Sequence, residues 1–70
     1  MHAIIIRVTD YGYCFARING TRRKVFCHAE SFAPPLEFGE HLEGERVDVT
    51  TYETPNGLRA SSVEPFRFEG

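Results

Sequence analysis

Two short segments of the chain interleave rings with cations: Tyr13-Cys14-Phe15-Ala16-Arg17 and Lys24-Val25-Phe26-Cys27-His28. Successive side chains of an extended segment point to opposite faces, so Tyr13, Phe15 and Arg17 share one face while Lys24, Phe26 and His28 share one face of the second segment. The opposite faces hold Cys14, Ala16, Val25 and Cys27, which are small and uncharged. Asn19-Gly20 between the segments is the strongest short-range hairpin signal a sequence carries. With an even number of residues in that loop, Phe15 falls beside Phe26 and Tyr13 beside His28. The small face then suits the inside of a narrow barrel, and the ringed face stays in water, because Arg17 and Lys24 are not buried unpaired. Rings standing among cations can stack unpaired bases, at roughly 1–3 kcal/mol per base. An odd loop or a bulge would invert both faces and sink the rings into the core.

Other chemistries fit less well. A zinc site needs three or four converging ligands, whereas Cys14 and Cys27 point away from His28. Catalysis by His28 needs a nucleophile and an orienting carboxylate, and no motif supplies them. No metal, cofactor or enzymatic activity is therefore expected. His2 and His41 read as exposed residues. The two cysteines make no disulfide framework and no CxxC pattern, so both are expected as free, buried thiols of a reducing cytoplasm, facing each other across the hairpin.

The elements that must hold these residues are strands. Ala3 to Thr9 is rich in β-branched residues and ends at Asp10-Tyr11-Gly12. Tyr13 to Ile18 and Lys24 to His28 complete an antiparallel meander. Ala29 to Gly44, with Pro34-Pro35 and several glutamates, reads as a crossover loop with room for one helical turn. Its acidic run from Glu37 to Glu45 reads as solvated. Gly44 to Tyr52 alternates Val47, Val49 and Thr51 against Arg46, Asp48, Thr50 and Tyr52. Pro55-Asn56-Gly57 turns the chain into a fifth strand, Leu58 to Val63, before Pro65. Five short strands without a convincing helix are best closed into a barrel, since an open sheet would leave two unpaired edges. The expected fold is an all-β, five-stranded antiparallel Greek-key barrel of the OB type.

Seventy residues make one small domain, 1–70, and 41% hydrophobic with 26% charged residues makes it a folding one. The longest apolar run, Ala3 to Ile6, is far short of the ~20 residues that span a bilayer, so no membrane partner is expected. The net charge of −2 hides an asymmetry: residues 1–28 hold five cations against Asp10 alone, and residues 29–70 hold three arginines against nine acids. The front of the chain is basic and the back acidic, which confines an anionic ligand to the front.

These motifs resemble a family. Tyr11-Gly12-Tyr13-Cys14-Phe15 stands where cold-shock domains carry Lys-Gly-Phe/Tyr-Gly-Phe, and Val25-Phe26-Cys27-His28-Ala29 where they carry Val-Phe-Val-His-Phe. Gly44-Glu45-Arg46-Val47 is similar to the family's Gly-x-x-Val opening of strand four, and Gly57 to Val63 to its Gly-x-x-Ala-x-x-Val strand five. The resemblance implies a monomeric OB barrel that stacks single-stranded RNA or DNA on Tyr13, Phe15, Phe26 and His28 and acts as an RNA chaperone, with no small-molecule substrate. It adds Phe38 in the crossover loop and Arg59 near the same surface, beside Arg7, Arg17 and Lys24 of the basic front. The chain departs from the pattern in having no Trp, Ala29 in place of the third aromatic of the second motif, and Tyr11 in place of a lysine. Each departure removes a stacking or charge contact and implies weaker binding.

Two other functions fit the residues. Val8-Thr9-Asp10-Tyr11-Gly12 resembles the Val-Thr-Asp-Phe-Gly opening of RNA-binding OB modules in ribosomal and translation-initiation proteins. A protein-interaction barrel that has lost nucleic-acid binding fits the missing Trp and the acidic back.

Overall fold

The computed structural model describes residues 1–66; residues 67–70, with Arg67 and Glu69 of the acidic back, lie outside the described residues. Five strands follow one another: β1 (His2–Val8), β2 (Tyr13–Ile18), β3 (Lys24–His28), β4 (Arg46–Thr54) and β5 (Gly57–Pro65). β2 and β3 have the expected bounds, since strong turn residues flank both. β4 and β5 run further towards each other than expected. Their turn is tight, with the Thr54 hydroxyl donating to the Gly57 carbonyl at 2.8 Å and Gly57 at φ +118°, in the region that favours glycine.

The strands close in the order β1-β2-β3-β5-β4, with β1 also paired to β4, so the sheet is a barrel with an OB-like order. One pair departs from the antiparallel expectation. β3 and β5 run parallel, through Val25 with Leu58 and Phe26 with Arg59. A parallel pair needs a long crossover, and here that is the loop after β3 together with β4.

The core consists of small and branched side chains. Ala3, Ile5, Cys14, Ala16, Val25, Cys27, Val47, Val49, Ala60 and Val63 fill the barrel, joined by Ile18, Leu42 and Leu58. Among the described residues no aromatic belongs to this buried set. A five-stranded barrel is too narrow for rings once its strands contribute this much aliphatic volume.

Two bulges keep the pattern intact. β1 pairs with β2 in step from Ala3 to Ile5, then shifts by one at Ile6, so that Arg7 lies opposite Phe15 and Val8 opposite Cys14. Strict alternation would have aimed Arg7 into the core; the extra residue returns it to water and Val8 to the interior. The Val8 N–H then donates to the Glu43 carboxylate at 2.9 Å. A second shift, between Thr50 and Thr51, leaves Ser61 unpaired in the ladder and lets Ala60 and Val63 both point inward.

The crossover loop is more than a solvated acidic run. It holds two short 3-10 turns, Ala29–Ser31 and Glu40–Leu42, and the second buries Leu42. Phe32, Leu36 and Phe38 pack against the core from outside.

Candidate nucleic-acid interface

The β2–β3 register is Tyr13 with His28, Cys14 with Cys27, Phe15 with Phe26, Ala16 with Val25 and Arg17 with Lys24. Beyond it the Ile18 N–H still donates to the Arg23 carbonyl at 3.0 Å, which leaves residues 19–22 as an even-numbered loop. Parity therefore sends Cys14, Ala16, Val25 and Cys27 inward, all without exposed surface, and the rings outward. Phe15, Phe26 and Tyr13 are half-buried, while His28, Arg17 and Lys24 are exposed.

The rings have organised one another. Tyr13 stacks on Phe26 at 5.0 Å between centroids with 27° between planes. Phe15 meets both edge-on, at 5.7 Å from Tyr13 and 5.9 Å from Phe26. Such pairs contribute about 0.5–1.5 kcal/mol each, less than the roughly 1.5–3 kcal/mol that full burial of a Phe would supply. The cluster softens the cost of wet rings without removing it.

Across the whole sheet these residues fall into rows. Arg7, Phe15, Phe26, Arg59 and Tyr52 are successive backbone partners on β1, β2, β3, β5 and β4. Arg59 lays its guanidinium 4.7 Å from the Phe26 centroid, a cation–π contact. Tyr13 and His28 form the next row. The Glu30 N–H donates to His28 Nδ1 at 3.2 Å, which turns Nε2 away from the backbone. On the other side Ile4, Arg17 and Lys24 form a third row. Directly opposed like charges on a sheet repel. Among the described residues Arg7, Arg17 and Lys24 have no carboxylate within ion-pair distance, whereas Arg23 pairs with Glu53 at 3.2 Å.

A groove of about 410 Å³ adjoins the β1 end of the ring cluster, lined by Arg7, Val8, Thr9, Asp10, Tyr11, Tyr13, Phe15 and Glu40. Tyr11 is the most exposed ring here, at 85%. A second groove, about 450 Å³ and lined chiefly by Pro35, Leu36, Leu42, Pro65 and Phe66 with polar neighbours, shares no residue with it.

Of the residues read from sequence, the structure brings together Arg7, Tyr13, Phe15, Phe26, His28 and Arg59, with Arg17 and Lys24 beside them. Phe38 has a different neighbourhood: its ring meets Phe32 edge-on at 5.5 Å and packs on the core. Sequence reasoning missed Tyr52, 49% exposed at the far end of the long row. Alternation already turned it away from the core, but only the β3–β5 pairing ties it to the other rings. Among the described residues no group of three or more His, Cys, Asp or Glu could hold a metal ion.

Fold and surface together define a small OB-like barrel whose outer sheet face carries a ladder of rings and cations. Compared with known proteins, the chain matches no family model and no curated sequence.

Proposed function

We propose that this face binds single-stranded nucleic acid, RNA first and DNA second, and that the protein is a binding module of the cold-shock type rather than a catalyst. The observation that carries the proposal is the unbroken row Arg7, Phe15, Phe26, Arg59, Tyr52, with Tyr13 stacked on its centre. Half-exposed rings offer π-faces to any base, and the flanking cations meet phosphate. The Arg17–Lys24 opposition supports the same ligand, because an anion between two like charges relieves their repulsion.

Binding only unpaired bases draws weak RNA structure towards its melted form by mass action, the behaviour of an RNA chaperone. A monomer working in the cytoplasm suits this role, and the free, buried thiols Cys14 and Cys27 suit a reducing compartment. Among the described residues no helix is long and apolar enough to cross a membrane.

An NMR titration with oligo-U and oligo-dT tests the proposal. Shifts centred on Tyr13, Phe15, Phe26 and His28 are the expected result. Silence of these resonances at high oligonucleotide concentration would overturn it in favour of a protein-interaction barrel.

A further inference from the structure

The long row does not stop at the hairpin. Past Phe26 it reaches Arg59 on β5 and Tyr52 on β4, both exposed. Two planar groups already lie against the Phe26 ring: Tyr13 at 5.0 Å and the Arg59 guanidinium at 4.7 Å. A base arriving at Phe26 must displace one of them or stack on it. A guanidinium is flat and weakly hydrated, and it stacks on π-systems while its N–H edges stay free for phosphate. Moving Arg59 away would forfeit a cation–π contact, so lying on it is the cheaper course.

We infer that the Arg59 guanidinium is itself a stacking plane and Tyr52 the next one, so that a bound strand leaves the β2–β3 hairpin and crosses onto β5 and β4. This deepens the proposed function and rests on it. From Phe15 to Tyr52 is three strand steps, at about 4.8 Å each. That distance accommodates about four stacked nucleotides at roughly 3.4 Å apiece. The row ends at Tyr52, because β4 pairs with β1 only at Arg46, Val47 and Asp48, and the Arg23–Glu53 ion pair borders it.

The test compares affinities for a uridine trinucleotide and a uridine oligomer of about eight nucleotides, using the full chain and the variants Tyr52→Ala, Arg59→Lys and Phe15→Ala. Melting curves first establish that each is folded, as the exposed positions of Tyr52 and Arg59 and the half-buried one of Phe15, outside the core, allow. Arg59→Lys keeps the charge and removes the plane. Both Tyr52→Ala and Arg59→Lys are expected to weaken the longer oligomer at least about fivefold, Tyr52→Ala leaving the trinucleotide unchanged, while Phe15→Ala weakens both ligands. If either Tyr52→Ala or Arg59→Lys binds the longer oligomer as tightly as the unaltered chain while Phe15→Ala does not, the path ends at the hairpin: this inference fails and the proposed function stands. Failure of the unaltered chain to bind either ligand overturns both.

Discussion

Arg7 lies directly opposite Phe15, one residue out of step with the pairing that runs from Ala3–Ile18 to Ile5–Ala16. That single shift at Ile6 decides whether a guanidinium stands at the end of the aromatic row or inside an aliphatic barrel. Ile6 itself is left at 39% exposure, an apolar residue in water whose position serves register rather than burial.

Ile6 is thus the extra residue, and deleting it should leave Ile5 inside, Arg7 outside and Val8 opposite Cys14. The deletion variant is expected to melt cooperatively, with a stability loss of about 1 kcal/mol. Nuclear Overhauser contacts between Arg7 and Phe15 should persist. A variant without cooperative melting would show that the bulge is required by the fold and not merely compatible with it.

Stability and binding should separate at Phe15 and Phe26. Each ring makes two ring contacts outside the core, and Phe26 adds the Arg59 contact. Truncation to Ala should cost about 1–2 kcal/mol in denaturant melts, short of the 3–5 kcal/mol typical of a ring lost from a packed interior. Affinity for oligo-U should fall by one to two orders of magnitude, as the loss of roughly 1–3 kcal/mol of stacking requires. An unfolded Phe26→Ala chain would mean that the ring supports the barrel instead of the ligand.

Salt dependence should be shallow. The cations available on this face are Arg7, Arg17, Lys24 and Arg59. With about 0.7 counterions released per phosphate contact on a single strand, a logarithmic plot of affinity against salt has a slope no steeper than about −3. A markedly steeper slope from fluorescence titrations would move the energy of binding from rings to charges, and onto cations outside this face.

How much of this was legible in the chain follows from how local each signal is. The two strands of the hairpin were readable to the residue, because alternation and Asn19-Gly20 act within residues 13–28; which face turns inward was not, because it hangs on the parity of a loop whose length only the Ile18–Arg23 pairing fixes. Closure was readable as a need to hide sheet edges. The parallel β3–β5 pair was not, since Phe26 and Arg59 are far apart in sequence and strand pairing leaves no periodic trace. Tyr52 was missed for that reason. Phe38 was assigned by resemblance to the binding face, yet its ring partner is Phe32 and its support is the core. Loop packing of this kind depends on the surface left by a finished barrel, which no segment of the loop encodes alone.

The thiols supply a check on the interior that does not involve a ligand. Cys14 and Cys27 are backbone partners with no exposed surface, and the Cys27 thiol donates towards the Val25 carbonyl at 3.7 Å. The Cys14 thiol beside it, and then burial, push the Cys27 thiol well above the usual thiol range. The thiolate is the reacting species, so this thiol is both shielded and protonated in the folded barrel. A disulfide-exchange reagent in mildly alkaline buffer should react with the folded protein at least about a thousandfold more slowly than with the chain in denaturant, as an opening of about 5 kcal/mol dictates. Release of two equivalents at the free-thiol rate under native conditions would place these side chains at the surface, and with them gone from the interior the rings on the opposite face would have to be inside.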